Sequence, residues 1–365
     1  MASANPPRTA ANDRRSRWAP YRPPVDDLVP GPPARLYTPS DLLDGFAPDD
    51  PRSYARTLDG RTYLTWARQG GRSAPDAVAT RRATHDTRVT GLLNATLDGR
   101  RPVAIMGGHR MERTDEAYGQ VARIAWRLTR TGFTIVTGGG PGAMEAAHLG
   151  ARLGRSPAPA LEEALRDMAA AGVPEFPFEK SEELVDCGEW VEPVLAALHA
   201  WQRPAFALAA RTSPLAAETI GIPTWLYGHE PPTPFATHHA KYFENSIRED
   251  GLLAVALYGV VFAPGGAGTL QEIYQDAAQN YYASVRGLFS PMVFLDLGGV
   301  WSARFMVDTA LHQLFRPEHH GMLAFVDDVD GAVDGIVRHR AAIDRQLAGR
   351  SAGMPAAGAP AARGR

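Results

Sequence analysis

Short apolar runs alternate with amphipathic stretches through residues 101–348. Four of these runs have the length and composition of buried strands: PVAIM, FTIVT, VVFA and MVFL, beginning at Pro102, Phe133, Val260 and Met292. Between the first two, residues 116–132 carry apolar side chains at helical spacing and end at a glycine. Buried strands that alternate with such helices are typical of a parallel sheet covered on both faces. The pattern therefore predicts an α/β domain built on a doubly wound parallel sheet.

Differences in composition distinguish four further segments of the chain. Residues 1–36 are rich in Pro, Arg and Ala, and predict a flexible arm because they cannot bury enough apolar surface to offset the entropy of ordering. Residues 37–100 predict a helical N-terminal segment, and residues 155–220 predict an insertion between strands of the core. Residues 349–365 are of low complexity and predict a disordered tail.

Charge, apolar run length and cysteine content exclude several classes of protein. A net charge of -2 gives no reason to expect a nucleic acid or an anionic membrane as partner, and no apolar run is long enough for a transmembrane helix. The Arg-rich start lacks the apolar region of a secretory signal, and its prolines argue against a transit peptide. Cys187 is the single cysteine, which excludes an intrachain disulfide and a cysteine metal cluster. We therefore expect a cytoplasmic protein.

Three glycine-rich turns each follow a predicted strand. They are Gly107-Gly108-His109, the run Gly138, Gly139, Gly140, Pro141 and Gly142, and the run Gly265, Gly266, Ala267, Gly268 and Thr269. The carboxyl ends of parallel strands share one edge of the sheet, where ligands bind. Glycines let backbone N–H groups approach a phosphate, and the start of the following helix adds a positive dipole end. The turns therefore predict an anion site at that edge.

The last of these turns has a second, purely structural interpretation. Thr269 and Glu272 have the spacing of a capping box, in which both side chains satisfy backbone donors at a helix start. A single glycine turn is also weak evidence for nucleotide binding. The earlier turn of the same kind, at residues 138–142, is what favours a ligand site.

Taken together, two of the turns resemble a known family. TGGGPGAME at residues 137–145 and PGGAGTLQE at residues 264–272 are similar to the paired GGG-x-x-G-x-M and PGG-x-GT-x-x-E motifs of the LOG ("Lonely Guy") family. Members of this family were often mislabelled lysine decarboxylases. The resemblance covers residues 100–345, and the long middle of the chain is more similar to the larger bacterial nucleotide nucleosidases of the superfamily.

The resemblance implies a Rossmann-like homodimer that hydrolyses the N-glycosidic bond of nucleoside 5′-monophosphates to free base and ribose 5-phosphate. It implies a small-molecule nucleotide as substrate and no cofactor. The catalytic Glu of the family corresponds to Glu272. The catalytic Arg lies on the preceding helix in the family, where Arg248 has close to the expected spacing and Lys241 is the other candidate.

Further residues are candidates for substrate contacts. The resemblance assigns phosphate and substrate binding to Gly138, Gly139, Gly140, Gly142, Gly265, Gly266, Gly268 and Thr269. Glu145 could bind ribose hydroxyls or lie on a helix surface, and His109 and His229 each end a predicted strand where a base contact is possible. The adjacent His238 and His239 lack the cysteine or carboxylate partners of a metal site, so we expect no metal.

Two other functions stay open at this stage. One is a non-catalytic carrier of a nucleotide or cofactor on the same fold, which the presence of Glu272 disfavours. The other is an amino-acid decarboxylase, which would need a Schiff-base lysine for pyridoxal phosphate.

Overall fold

The computed structural model describes residues 30–68, 75–173, 175–226 and 229–351. Most of the predicted arm and most of the predicted tail, residues 1–29 and 352–365, lie outside the described residues. The last residues of the arm are described, and Leu36 is 3 % exposed in the core while Arg35 pairs with Asp41. The chain is therefore packed against the rest of the protein from Leu36 onward.

Helices and strands alternate along the described chain. The N-terminal segment contains helices α1 (Pro39–Leu43), α2 (Leu58–Arg68) and α3 (Asp76–Leu97). The first half of the core contains β1 (Pro102–Met106), α4 (Glu116–Arg130), β2 (Thr134–Thr137) and α5 (Ala143–Arg152). The insertion contains α6 (Ala158–Ala170), β3 (Val185–Asp186), β4 (Glu189–Trp190) and α7 (Glu192–Thr212).

The second half of the core follows the insertion. Its elements are β5 (Ile220–Gly221), β6 (His238–His239), α8 (Asn245–Val255), β7 (Val260–Phe262) and α9 (Ala267–Tyr281). The chain then forms β8 (Met292–Leu295), α10 (Val307–Leu314), β9 (Leu323–Val326), α11 (Val329–Val337) and α12 (Arg340–Ser351). None of the helices in the described part of the chain is long and apolar enough to cross a membrane.

Seven strands form one parallel sheet in the order β6-β5-β2-β1-β7-β8-β9. The predicted doubly wound α/β sheet is confirmed, and the fold is Rossmann-like. From β1 the chain moves outward through β2, β5 and β6, and it then returns to β7 on the other side of β1. Such a reversal of strand order opens a crevice at the carboxyl ends of the strands. The crevice lies where the three glycine turns follow β1, β2 and β7.

Both faces of the sheet are buried, as the uninterrupted apolar runs require. In β1, Val103 and Ile105 belong to a core cluster with α4, α5 and α11. Ala104 and Met106 alternate with them and belong to the opposite cluster, with α3, α8, α9 and α10.

A third core cluster joins the N-terminal segment to the insertion. Leu42 and Tyr54 pack there with Phe178, Leu195 and Trp201, which come from more than a hundred residues further along the chain. The two parts of the chain outside the compact sheet domain therefore form one packed unit beside it.

Residues 236–257 do not form one continuous helix. The spacing of apolar residues over 236–257 predicts a continuous helix, whereas β6 occupies His238–His239 and α8 begins only at Asn245. The buried carboxylate of Asp86 accepts hydrogen bonds from the backbone N–H groups of Phe243 and Glu244, at 2.9–3.1 Å. This contact from α3 stabilises the extended backbone that leads into α8.

Candidate active site

A cavity of about 470 Å³ lies at the carboxyl edge of the sheet, where the turns after β1, β2 and β7 meet. It is also lined by Arg248 from α8 and by Glu230 from the loop after β5. Eight of the residues predicted from the sequence line it: His109, Gly138, Gly140, Arg248, Gly266, Gly268, Thr269 and Glu272.

Three predicted glycines shape the turns and do not line the cavity. Gly139 and Gly142 have positive φ angles of 75° and 65°. A Cβ on Gly142 would lie 2.3 Å from the carbonyl oxygen of Gly108, and a Cβ on Gly265 would lie 2.1 Å from Oγ1 of Thr269. These glycines allow the turns to pack against one another, so their predicted role in contacting the ligand is replaced by a role in building the site.

The prediction that Glu145 contacts ribose is wrong. Its side chain is buried, and its two carboxylate oxygens accept hydrogen bonds from Nε and Nη2 of Arg113 at 2.8 and 2.9 Å. The hydroxyl of Tyr118 donates a third hydrogen bond at 2.8 Å. Nη1 of Arg113 also donates to the carbonyl oxygen of Trp201, so this ion pair joins α5 to the insertion.

The capping-box interpretation of Thr269 and Glu272 is also wrong. Helix α9 begins at Ala267, with Gly266 as its N-cap and no side-chain hydrogen bond to that end. Thr269 and Glu272 are therefore the third and sixth residues of the helix, too far along for reciprocal capping. The first N–H groups of a helix have no intrahelical partner, and here that turn lines the cavity.

Gly266 is the N-cap of α9, where glycine is common, whereas Gly268 in the first turn of the helix has no steric reason to be glycine within the described protein. A Cβ added to Gly266 or Gly268 would meet no atom within 4 Å. Neither residue has a positive φ angle. Glycine inside a helix costs about 0.5–1 kcal/mol relative to alanine. The open space in front of both residues belongs to the cavity, which leaves room for a ligand to approach the backbone.

Of the two basic candidates taken from the sequence, Arg248 lines this cavity and Lys241 does not; Arg110, which pairs with Glu179, is a second basic residue in its wall. The Arg248 side chain is 16 % exposed, and its Nε and Nη2 donate to Oδ1 of Asn245 at 3.2 and 2.7 Å. Lys241 is fully buried behind the site, with Nζ 2.8 Å from Oδ1 of Asp59. The structure thus favours Arg248 over Lys241 as the basic group.

Glu272 has a strongly perturbed acidity. Burial raises the pKa of its carboxyl to about 7, with a further contribution from Glu249, while the positive charge of Arg248 opposes the shift. A carboxyl with a pKa near neutrality can exchange a proton under ordinary conditions, as a catalytic acid or base must.

Glu230 is a functional candidate that the sequence analysis missed. Its carboxylate lies against the β2 turn, where a Cβ on Gly140 would come within 2.3 Å of Oε2. Its Oε1 lies 3.7 Å from Nδ1 of His109. Burial and the charge of Glu272 raise the pKa of Glu230 to about 7, against the opposing charge of Arg248. The sequence signal for Glu230 is its position just after a predicted strand, next to His229.

The two predicted histidines differ in position. His109 lines the cavity with 39 % of its side chain exposed. His229 is buried, with Nε2 2.7 Å from the Tyr54 hydroxyl and its ring stacked on Tyr63 at 4.1 Å. Burial lowers the pKa of His229 to about 4. His229 lies in the wall of the second cavity described below, but its Nε2 is engaged by Tyr54 and its Nδ1 by the carbonyl oxygen of Trp225 at 3.0 Å, so neither ring nitrogen is left for a hydrogen bond to a base.

A second cavity of about 600 Å³ adjoins the first and shares His109 and Glu230 with it. Its other walls come from the N-terminal segment, the insertion and the residues before α8. They include the aromatic side chains Trp66, Phe176, Phe178 and Phe243.

The similarity of the chain to known proteins is confined to solved structures. No family model and no curated protein matches the chain. The molybdenum cofactor carrier protein MCP from Chlamydomonas reinhardtii is 16% identical over 68% of this chain and 99% of its own, with a TM-score of 0.35. The molybdenum cofactor binding protein from Rippkaea orientalis is 13% identical over 64% of this chain and 94% of its own, with a TM-score of 0.36. The protein TM1055 is 15% identical over 65% of this chain and 99% of its own, with a TM-score of 0.39. Identities this low concern the fold alone.

Proposed function

We propose that the protein hydrolyses the N-glycosidic bond of nucleoside 5′-monophosphates and releases the free base and ribose 5-phosphate. The observation that carries the proposal is the position of Glu272. Its carboxyl, with a pKa raised to about 7, lines the same cavity as the uncapped N-terminus of α9 and the guanidinium of Arg248.

The start of α9 is the proposed phosphate site. Backbone N–H groups at Gly266, Ala267 and Gly268 have no intrahelical partner, and the helix dipole favours an anion there. Glu272 follows on the same helix, about 7.5 Å along its axis from Ala267 at about 1.5 Å per residue. A phosphate bound at the helix start would therefore hold the attached ribose near the Glu272 carboxyl.

The chemistry requires a carboxylate beside the ribose. As the base departs, positive charge develops on the ribose, as in glycoside hydrolysis. Glu272 in its ionised form would stabilise this charge and accept a proton from the attacking water. Arg248 keeps part of the Glu272 population ionised, and with Nε and Nη2 held by Asn245 it would offer Nη1 to the phosphate.

The test is a panel of nucleotides assayed for free base and ribose 5-phosphate. Because the phosphate supplies binding energy away from the reacting bond, AMP and CMP should be cleaved and the matching nucleosides should not. Equal turnover of AMP and adenosine would contradict the phosphate site at α9.

A non-catalytic nucleotide or cofactor carrier is the second candidate. The glycine turns and the cavity would serve such a carrier equally well. Two partly buried carboxyls with pKa values near 7 favour the enzyme, because carboxylates beside an anion site weaken anion binding and would serve no purpose in a carrier. Stable binding of AMP and CMP with no product would support the carrier.

A decarboxylase dependent on pyridoxal phosphate is disfavoured by the lysines. The chain contains two, Lys180 and Lys241, and neither lines the first cavity. Lys241 is held by Asp59, and Lys180 lies at the second cavity. An absorbance spectrum of the purified protein with the absorption of a pyridoxal Schiff base would overturn this conclusion.

The proposed enzyme is a cytoplasmic homodimer that associates through the helices beside the site. Leu252 and Leu253 of α8 are buried in the core and are not free for a second copy. Exposed apolar side chains remain on both helices: Ile247 of α8 is 45% exposed, and Tyr274 and Tyr281 of α9 are 45% and 55% exposed. These three side chains give the apolar surface for a second copy. Light scattering should give twice the chain mass of 39.4 kDa, and a monomer mass at micromolar concentration would contradict the dimer.

A further inference from the structure

Glu230 and Glu272 reach the first cavity from different parts of the sheet edge. Glu272 lies on the helix after β7, whereas Glu230 lies in the loop after β5. The strand order β5-β2-β1-β7 places two strands between these elements. Glu230 is therefore on the side of the cavity away from the α9 N-terminus, where the phosphate is proposed to bind.

The second cavity begins at Glu230. Its wall contains Trp66, Phe176, Phe178 and Phe243, and the last three are less than 9% exposed. Flat apolar side chains of this kind suit a planar base. Besides Glu230, the same wall contains two basic residues, Arg82 and Lys180, and three acidic ones, Glu179, Glu182 and Glu244, whose formal charges give no net attraction for a phosphate. The base end of the nucleotide would thus lie beside Glu230.

The carboxyl of Glu230 lies between the β2 turn and His109. Its side chain is 26% exposed, and only a glycine at position 140 leaves room for Oε2. His109 lies 3.7 Å from Oε1, and burial lowers the pKa of this histidine, so its ring is neutral near pH 7. A neutral imidazole can orient a protonated carboxyl, and it adds no positive charge that would favour the ionised form of that carboxyl.

The charged groups around Glu230 favour its protonated form when Glu272 is ionised. Burial is the largest cause of its raised pKa of about 7, and the charge of Glu272 adds to the shift. Arg248 and Lys241 oppose it, and His109 is the remaining titratable group in contact. The two carboxyls therefore suit opposite roles, one giving a proton while the other accepts one.

We propose that Glu230 is a second catalytic residue, the general acid that protonates the departing base, with His109 as a positioning residue. This inference rests on the proposed function. The carboxyl proton of Glu230 passes to a ring nitrogen of the base as the bond between C1′ and the base breaks and its electron pair moves to the base. Water then bonds to C1′ and gives a proton to Glu272, and exchange with solvent restores both carboxyls.

The test compares two substrates whose leaving groups differ in their need for a proton. AMP releases adenine, which must be protonated, whereas nicotinamide mononucleotide carries a cationic base that leaves as a neutral molecule. Glu230→Gln should lower kcat for AMP roughly a hundredfold, the usual scale of acid catalysis, and change kcat for nicotinamide mononucleotide less than about threefold. Glu272→Gln should lower both rates, and the exposed Glu163→Gln should change neither.

The pH dependence gives an independent measure. Because the acid must be protonated, kcat/KM of the wild-type protein for AMP should fall as pH rises above about 7, the pKa of Glu230. Glu230→Gln should lack this alkaline decline. If the wild-type protein cleaves AMP but not nicotinamide mononucleotide, the pH profile decides. An alkaline decline that persists in Glu230→Gln then overturns the role of Glu230 as the general acid.

A second variant tests the geometry of the carboxyl. Gly140→Ala would place a methyl group 2.3 Å from Oε2 and displace the carboxyl, so it should reproduce the selective loss with AMP. Melting temperature and AMP affinity, measured for every variant, identify any that fails to fold. Equal losses on both substrates, or full AMP activity in Glu230→Gln, overturn the role of Glu230 and leave the proposed function standing. A wild-type protein that binds AMP and cleaves neither substrate overturns both.

Discussion

Replacing Gly268 by alanine separates the ligand role of the α9 glycines from any structural role. The added Cβ would meet no protein atom within 4 Å, and the residue lies in the first turn of the helix. Alanine should therefore stabilise the protein by about 0.5–1 kcal/mol, which corresponds to a rise in melting temperature of roughly 1–3 °C. The same methyl group would occupy the space proposed for the phosphate.

The expected loss of affinity follows from the hydrogen bond that the methyl group blocks. A hydrogen bond to a charged group contributes about 1.5–3 kcal/mol, and about 1.4 kcal/mol corresponds to a tenfold change in Kd. Gly268→Ala should thus weaken AMP binding roughly 10- to 100-fold in isothermal calorimetry, while thermal unfolding shows a protein at least as stable as wild type.

Gly91→Ala is the matched control. Gly91 lies in the middle of α3, is exposed, and has no atom within 4 Å of an added Cβ. This variant should gain similar stability with unchanged AMP affinity. Gly265→Ala gives the contrast, because its Cβ would lie 2.1 Å from Oγ1 of Thr269 and should destabilise the turn. If Gly268→Ala binds AMP as tightly as Gly91→Ala, no ligand approaches this helix start and the phosphate site is refuted.

Three further predictions concern buried acids. Glu272→Gln should lower kcat roughly a hundredfold while AMP affinity and melting temperature stay near wild type, and full activity would return Glu272 to a structural role. Glu145→Gln leaves Arg113 buried without its ionic partner, so urea unfolding should show a loss of about 3–5 kcal/mol with KM for AMP unchanged. Burial raises the pKa of Asp276 to about 8, above the value of 3.8 for an exposed aspartate, so its contribution to stability should decline as pH rises from 4 to 8. Asp276→Asn should flatten this decline, by up to about 1.4 kcal/mol per pH unit, and an unchanged pH profile of unfolding would contradict the shift.

The sheet and the meeting of the glycine turns were predictable because both follow from local patterns. Apolar runs of strand length, separated by helices, permit few arrangements other than a parallel sheet. Once the strands are parallel, turns that follow them must share an edge, so Gly138 and Gly266 come together without any knowledge of their contacts. The pairing of Glu272 with Arg248 came from the resemblance to the LOG family and not from the strand pattern, and both residues line the cavity.

The errors concern residues whose partners are distant in sequence. Glu145 forms an ion pair with Arg113, and His229 forms a hydrogen bond with Tyr54 and stacks on Tyr63. The spacing of apolar residues along the chain does not predict such contacts. The capping-box alternative for Thr269 fails for a different reason. A glycine N-cap leaves no side-chain signal in the sequence, so Thr269 is the nearest residue with the composition of a cap.

The packed unit formed by the N-terminal segment and the insertion has a consequence for how such a chain can change through evolution. Tyr54 and Phe178 share one core cluster, although the segments that carry them are separated by the first half of the sheet domain. Loss of either segment would expose the aromatic surface of the other and remove a wall of the second cavity. The two additions can therefore be inherited or discarded only as a pair, and a change in one selects for a matching change in the other.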